Sequence, residues 1–465
     1  MKEKDNQFLA TEPIGKLMFK LALPAVAAQL INMLYNLVDR VYIGHIPETG
    51  SLALTGLGVC MPVIIIVSAF ASLASMGGAP KASIFMGKGD NETASRILGN
   101  CFVMQAVVSA VLTAVLLIWN RDLLLLFGAS ENTIEYAAGY MNIYAVGTLF
   151  VQLTLGMNAF ISAQGFAKTA MLSVLIGAIC NIALDPVFIF GLGMGVRGAA
   201  LATILSQMAS CVWVLAFLRG EKTILRLEPR FMRPDGKIIL SCVALGLSPF
   251  IMQASESIVN ICFNTSLRAY GGDLAVGAMT ILASVMQFSM LPLQGLAQGS
   301  IPITSYNFGA RNPGRVKKSF LTLLKVSLIY SVSLWAVVML FPQLFAQMFT
   351  ADAQLIEFSV WAVRIYAAGM VIFGAQLACQ MTFIATNNAV SSIVVAIVRK
   401  FVLLIPLIYL LPALFENKVF AVYLAEPVAD VIAVTFTVVL FAFQFRKALK
   451  KLREGPQLAV PEENV

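Results

Sequence analysis

The chain contains 465 residues, a length that in a soluble protein would suggest two or three domains. Hydrophobic residues make up 59% of the chain and charged residues only 12%, whereas soluble domains carry roughly 25% charged residues. This composition excludes a soluble globular enzyme, a nucleic-acid-binding protein and a disordered protein. The hydrophobic content suffices for about twelve membrane-spanning helices of roughly 20 to 25 residues each. The net charge of +8 comes from basic residues in short loops, a distribution that indicates membrane topology rather than a nucleic-acid partner.

The chain begins with a polar segment, MKEKDNQFLATEPIGK, which lacks the apolar core and the small-residue cleavage site of a signal peptide. We therefore expect the first span to act as an uncleaved insertion signal. Apolar runs bounded by charged residues, Gly or Pro then predict twelve spans. Their limits are 20–44, 52–79, 94–119, 134–162, 169–192, 196–218, 238–270, 274–300, 316–345, 355–385, 391–413 and 418–445.

The longest polar interruption, 219–237, divides the chain close to its midpoint. It predicts an N-terminal six-helix lobe at 1–218, a linker at 219–237, a C-terminal six-helix lobe at 238–445 and a tail at 446–465. Basic residues concentrate in both terminal segments, in the linker and in the loops on the same side of the membrane. By the positive-inside rule, we expect the linker and both termini of this multi-pass protein to lie on the cytoplasmic side of the cell membrane.

The two halves of the chain repeat each other at a nearly constant offset. Matched positions are Leu21, Leu23, Gln29 and Asn36 with Leu245, Leu247, Gln253 and Asn260, and Pro80, Ser83 and Gly87 with Pro302, Ser305 and Gly309. Chance agreement between apolar segments does not explain matched Pro, Gly and polar positions in the same order. We predict an all-α polytopic membrane protein whose twelve transmembrane helices form two six-helix lobes, related by a pseudo-twofold axis along the membrane normal. Transporters with a central binding site have this architecture.

Polar residues inside a span are costly unless they face the bundle interior or a wet cavity. The first helix of each predicted lobe carries such residues at spacings that place them on one face. They are Gln29, Asn32 and Asn36 in span 1, and Gln253, Glu256, Asn260 and Asn264 in span 7. We expect these side chains to line a substrate cavity between the lobes. The alternative is hydrogen bonding that only holds the helices together.

Four polar residues of the first lobe are predicted to lie together in the outer third of the membrane. Asp39 lies near the end of span 1, Asn181 and Asp185 share one face of span 5, and Thr203 lies in the first half of span 6. Oxygen ligands suit a small hard cation, and two neighbouring carboxylates in a low dielectric tend to hold a proton. We predict that this site couples transport to Na⁺ or H⁺. The alternative is a buried structural network that binds no ion.

The second lobe does not repeat this cluster, since the position that corresponds to Asp39 is Phe263. Span 11 instead carries Arg399. We expect Arg399 to pair with Glu426 or Asp430 as a structural bridge, with a role in substrate binding as the alternative.

The sequence contains no HExxH, no Walker-type loop and no Cys/His pairing. Its seven cysteines lie inside apolar stretches and its single histidine, His45, falls in a loop, so neither a disulfide framework nor a structural zinc site is predicted. We therefore expect no enzymatic activity and no cofactor. Without a nucleotide-binding loop, an ion gradient is the available energy source, with Na⁺ or H⁺ as the coupling ion.

Three segments carry a family resemblance: LALPAVAAQLINMLYNLVDRVYIG (21–44), NIALDPVFIFG with GVRGAALATILSQ (181–207), and LPLQGLAQGSIPITSYNFGARN (291–312). They resemble the multidrug and toxic compound extrusion (MATE) family, in particular its bacterial multidrug-exporter branch. The resemblance implies a secondary active antiporter that exports amphipathic, mostly cationic compounds in exchange for Na⁺ or H⁺ by alternating access. The expected partners are small-molecule cations and the lipid bilayer, without nucleic acid, and we expect a functional monomer.

The resemblance also implies roles for particular residues. The aspartate of the family's VD motif couples ion movement and corresponds to Asp39, while the N-x-x-x-D-P motif maps to Asn181 and Asp185, and the span 6 threonine to Thr203. Some members use a glutamate in span 7, which corresponds to Glu256, but its partner carboxylates in spans 10 and 11 have no counterpart here. The alternative on the same fold is a flippase for a lipid-linked precursor, which would require a strongly cationic cavity.

Overall fold

The computed structural model of this protein describes residues 7–454. Within this range, eleven helices are long and apolar enough to cross a membrane. One of them, Gly236–Gly309, has 74 residues, more than three times the roughly 20 that one crossing requires. It is interrupted at Gly272, where a φ of 65° breaks the helix. This run therefore comprises two spans, and the prediction of twelve spans is confirmed.

We number the spans α1 to α12 in chain order. They are α1 (Ile14–Gly44), α2 (Gly50–Gly87), α3 (Asn91–Ile118), α4 (Ile134–Ala163), α5 (Ala167–Gly191), α6 (Val196–Arg219), α7 (236–271), α8 (273–309), α9 (Pro313–Leu340), α10 (Ala353–Ala385), α11 (Ala389–Leu414) and α12 (Lys418–Glu454). The linker connects α6 to α7. We call the end of the bundle that contains the linker the linker end. We call the opposite end of the bundle the open end.

Most span limits agree with the predicted ones, and the main differences lie at the linker end. There α2, α8 and α12 continue as helices to Gly87, Gly309 and Glu454, beyond their apolar runs. By contrast, α9 ends at Leu340 rather than at 345, because Pro342 lacks a backbone donor and begins a short separate helix. The predicted tail starts at 446, where α12 is still helical. The remainder of that tail, and the first six residues of the polar N-terminal segment, lie outside the described residues.

The internal repeat is reproduced in three dimensions. In the first lobe α4 ends at Ala163, and in the second lobe α10 ends at Ala385, which is the matching position. The hydroxyl of Ser83 donates to the Ala163 carbonyl (3.5 Å), and the hydroxyl of the matching Ser305 donates to the Ala385 carbonyl (2.9 Å). Equivalent positions thus make equivalent hydrogen bonds, which confirms the two-lobe fold.

The two lobes meet at the linker end. Lys81 donates to the Ser241 carbonyl across the interface (2.8 Å), and Ser83 donates to the Pro302 carbonyl (3.3 Å). Matching glycines allow α2 and α8 to touch: a Cβ atom at Gly87 would overlap the Tyr306 carbonyl, and one at Gly309 would overlap the Ile84 carbonyl. Across residues 7–454, the hydrogen bonds that join the lobes are confined to this end. The lobes therefore form a V that is closed at the linker end.

The segment that precedes α1 also bridges the lobes at the closed end. Leu9 is fully buried, and its carbonyl accepts hydrogen bonds from Asn307 of α8 (2.9 Å) and Arg315 of α9 (3.2 Å). Arg315 donates a further hydrogen bond to the Glu12 carbonyl (2.6 Å). On the side of the first lobe, the ring of Phe8 packs on Gly165. The N-terminal segment therefore contributes to the closure of this end.

Candidate substrate cavity and ion site

A cavity of about 930 Å³ lies between the lobes. It extends from Pro80 and Ala167 near the linker end to Arg40 and Met348 near the open end. The contacts between α2 and α8 close it on one side, so the open end is where solutes can enter.

The structure brings some of the predicted cavity residues together and leaves others apart. Gln29, Asn32, Asn36 and Gln253 line the cavity. Glu256, Asn260 and Asn264 lie outside its lining, exposed on the same face of α7 and closer to the open end. The polar stripe of α7 therefore continues along the V beyond the cavity itself.

The cavity wall combines amides with flexible apolar side chains. Besides the predicted residues, its lining includes Gln207, Gln287, Gln298, Met33, Met61, Met171, Phe288 and Phe349. Methionine side chains adapt to ligands of different shape, which suits a site that accepts several compounds. Among the described residues, the charged members of the lining are Asp39 and Arg40.

Asp39, Asn181 and Asp185 form one buried cluster beside the cavity. Asp185 is fully buried, Asn181 is 1% exposed and Asp39 is 7% exposed. The two carboxyl groups are neighbours, and Asn181 Nδ2 donates to Asp185 Oδ1 (3.3 Å). Asp39 also lines the cavity, whereas Asp185 lies behind it. The carboxylate pair is therefore accessible from the cavity through Asp39.

Three oxygen atoms of this cluster are buried without a hydrogen-bond donor: Asp39 Oδ1, Asn181 Oδ1 and Asp185 Oδ2. Oxygen atoms of this kind are the acceptors that a small hard cation or a proton would use. Thr203 lines the cavity next to this cluster, but its hydroxyl proton is donated to the Ala199 carbonyl (3.0 Å) of its own helix. The oxygen of Thr203 can still accept a hydrogen bond, and the Tyr140 hydroxyl lies within hydrogen-bond reach of it.

Local helix geometry places these groups. Asn181 and Asp185 are four residues apart in α5 and therefore share one face. Directly after Pro186, α5 continues as a π-helical turn, Val187–Gly191. Such turns often occur at functional sites, because they change which side chains face inward.

Sequence reasoning missed two tyrosines that line the same part of the cavity. Tyr140 and Tyr144 of α4 are both 3% exposed and stack on each other with ring centroids 6.2 Å apart. They lie close to α6 because Gly147 of α4 leaves room for Ile204. The available signal was the spacing of four residues between two tyrosines inside an apolar span, which places both on one helix face.

The second lobe contains a different charged cluster. Arg399 donates to Asp430 Oδ1 through Nε (3.0 Å) and Nη2 (2.8 Å), and its Nη2 lies 3.6 Å from Glu426 Oε1. The prediction of a bridge to Glu426 or Asp430 is thus confirmed for both. Lys400, the next residue, lies 2.8 Å from Glu256 Oε1. Glu256 is therefore held by an internal cation on the inner face of α7.

Replacement of Arg399 by leucine is expected to destabilise the protein strongly, because Asp430 is 2% exposed and would lose its partner. Breaking a buried ion pair costs about 3–5 kcal/mol. The measurement is the free energy of unfolding in detergent.

Arg121→Leu is the matched control, since Arg121 lies 2.8 Å from Glu135 in a pair whose side chains are 62% and 69% exposed. An exposed pair of this kind contributes at most about 1 kcal/mol. Equal losses in the two variants would contradict the structural role of Arg399.

A twelve-span bundle of two repeated lobes around a central cavity is the architecture of a secondary transporter. The MatE family model matches two segments of the chain, 24–187 in the first lobe and 249–410 in the second. Together they cover more than half of the chain, which belongs to the MatE family.

Curated relatives extend the likeness to nearly the full length. The multidrug export protein MepA of Staphylococcus haemolyticus is 23% identical over 436 residues, covering 93% of this chain and 95% of the relative. MepA of Staphylococcus aureus is 22% identical over 443 residues, covering 95% of this chain and 97% of the relative.

Solved structures show the same fold. A MATE protein crystallised in a bent conformation has a TM-score of 0.90 at 22% identity and covers 97% of this chain and 100% of its own. An outward-facing multidrug resistance MATE family transporter has a TM-score of 0.88 at 23% identity, with the same coverage of 97% and 100%. The protein is a membrane transporter of this fold.

Proposed function

We propose that this protein exports amphipathic, mostly cationic compounds across the cell membrane in exchange for inward Na⁺ or H⁺. The observation that carries the proposal is that one cavity reaches both the amide-lined wall and Asp39. A substrate and a coupling ion would therefore meet in the same compartment. The relatives named multidrug export proteins support the same substrate class.

The proposed orientation places the linker end and both termini in the cytoplasm, in agreement with the positive-inside rule. The V would then open to the outside of the cell, in the arrangement from which substrate is released and the ion enters. We propose that the protein works as a monomer, because one chain supplies both lobes and the cavity between them.

The chemistry of the cavity favours cationic substrates over a lipid-linked diphosphate. Amide oxygens and the carboxylate of Asp39 attract a cation, and aromatic and methionine side chains contact its apolar part. Arg40 is the one basic residue among the described lining residues, whereas a flippase would require a cationic cavity. Glu256, Asn260 and Asn264 are proposed as further substrate contacts along the V.

The buried carboxylate pair of Asp39 and Asp185 would couple ion movement to drug export. Without an ion, Asp39 and Asp185 would be two adjacent buried anions, an arrangement that low dielectric disfavours. A bound Na⁺ or proton neutralises one charge of the pair and stabilises the arrangement of the lobes that surrounds it. If the ion and the drug stabilise opposite arrangements, then the gradient of one drives the movement of the other.

The experiment is a dye-transport assay with purified protein in liposomes. A fluorescent lipophilic cation is followed under an imposed Na⁺ gradient at equal pH, and separately under a pH gradient without Na⁺. We expect at least one gradient to drive the dye against its own concentration difference. An anionic dye of similar size is the control and should not move. The absence of gradient-driven movement of the cation under both conditions would overturn the proposal.

A further inference from the structure

A second cavity, of about 400 Å³, lies at the linker end of the second lobe. It runs between the loop that joins α10 to α11 and the last turns of α12. Its floor consists of Phe383, Phe441 and Phe445, while Lys447 and Lys451 line its rim. We call this cavity the α12 groove. It is separate from the substrate cavity, with which it shares no lining residue.

The first lobe has the same groove, and there the chain itself fills it. The α4–α5 loop turns at Gly165 with a φ of 89°, and the matching α10–α11 loop turns at Asn387 with a φ of 59°. In the first lobe, Oε1 of Gln164 accepts hydrogen bonds from the linker backbone at Ile224 (2.7 Å) and Leu225 (3.0 Å). Leu225 is fully buried. The linker thus covers the groove of the first lobe.

The sequence explains why the second groove is left uncovered by the described residues. In the first lobe Gly220 follows the last residue of α6 in an extended conformation, and the chain turns back so that the Leu227 amide donates to the Leu218 carbonyl (2.9 Å). At the position that matches Gly220, the second lobe has Phe443, and α12 continues as a helix to Glu454. A straight helix cannot return to cover the groove beside it.

The depth and charge of the groove point to its ligand. Val390 at its edge is 74% exposed and Phe443 of α12 is 70% exposed, as expected for side chains in contact with lipid tails. Basic residues begin directly after this apolar surface, so Lys447 and Lys451 lie at the level of the lipid headgroups. These two lysines are one turn apart on one face of α12 and form no ion pair among residues 7–454.

We propose that the α12 groove binds an anionic phospholipid. Lys447 and Lys451 contact the phosphate, the side chains of Asn387 and Gln444 supply amide donors at the rim, and an acyl chain lies on the phenylalanine floor. Basic pockets at the ends of transmembrane helices bind such headgroups in other membrane proteins. The lipid takes the place in the second lobe that the linker takes in the first, and it holds α12 to the α10–α11 loop.

The test is native mass spectrometry of the full-length protein with phosphatidylglycerol or phosphatidylcholine of identical acyl chains. We expect preferential binding of phosphatidylglycerol, and an affinity about 25-fold lower in Lys447→Gln/Lys451→Gln, which is about fivefold for each lysine. The matched control is Arg446→Gln/Lys450→Gln, which removes the same charge from the adjacent face of the same helix. This control should retain the preference. Size-exclusion chromatography confirms that both variants are folded.

Glycerol phosphate, which has the headgroup charge but no acyl chain, should not displace the bound lipid. Displacement by glycerol phosphate would show an adventitious phosphate contact and overturn the proposal. Equal binding of both lipids, or an equal loss in both double variants, would also overturn it. Absence of lipid binding in the wild type would mean that a second copy or another part of the chain covers the groove, which contradicts the proposal as well.

Discussion

Asp39→Asn is expected to reduce gradient-driven dye export to the background of protein-free liposomes while leaving the protein folded. Asparagine keeps the volume of the side chain and can still hydrogen-bond within the cluster, so the packing around Asp185 is preserved. It cannot take up a proton and supplies no charge for Na⁺. Because Asp39 is the member of the carboxylate pair that lines the cavity, its loss removes the entry point of the ion. The measurement is dye efflux under the gradient that drives the wild type.

Asp122→Asn is the matched control, because Asp122 is an exposed aspartate of the same lobe, just beyond α3. It should export dye at the wild-type rate. Dye binding without a gradient should persist in Asp39→Asn, since the amides and apolar walls of the cavity are unchanged. Wild-type export by folded Asp39→Asn protein would exclude Asp39 as the coupling residue and direct attention to Glu256.

Gly309→Ala is expected to open the linker end and to slow export. Alanine stabilises an isolated helix relative to glycine by roughly 1 kcal/mol, so α8 itself would tolerate the change. In the closed linker end, however, the added Cβ atom would overlap the backbone of Ile84 in the other lobe. Overpacking costs about 1–3 kcal/mol, which would shift the equilibrium about 5- to 150-fold toward arrangements in which this end is open. We expect slower export as a consequence.

The shift can be followed with a native thiol. Cys242 is fully buried at the lobe contact, where its carbonyl faces Gly77 of the other lobe. Alkylation by N-ethylmaleimide, mapped by peptide mass spectrometry, should be faster at Cys242 in Gly309→Ala than in the wild type. Gly58→Ala is the control, because a Cβ atom at Gly58 in α2 would meet open space. Wild-type alkylation and export in Gly309→Ala would show that the glycine contact does not set the equilibrium.

Much of the fold could be predicted because each span has to be apolar over a length set by the bilayer. The repeat was visible for a related reason: several of the matched residues, Ser83, Gly87, Pro302 and Gly309, lie at the lobe contact. Helix ends were harder to predict. Beyond the apolar run, the continuation of α12 to Glu454 depends on residues that suit a helix in water as well as a loop.

Site residues could be predicted where polar side chains recur at helical spacing in one span. They were missed where the packing of different helices determines which side chains meet. Asn181 and Asp185 share a face by their spacing, and their proximity to Asp39 agrees with the predicted depth. The tyrosines of α4 were missed. An aromatic residue in an apolar span can contact lipid, the core or a cavity, and the sequence looks the same in all three cases. The pairing of Lys400 with Glu256 was also missed, because it depends on how α11 packs on α7.

The most direct test of ion and drug coupling is the affinity of the purified protein for a cationic dye, titrated at several Na⁺ concentrations and pH values. The coupling mechanism predicts that the effective ion weakens dye binding about 5- to 150-fold, that the dye weakens ion binding by the same factor, and that Asp39→Asn abolishes both effects. Dye affinity in the wild type that is independent of both Na⁺ and pH, or that responds equally in Asp39→Asn, would contradict it.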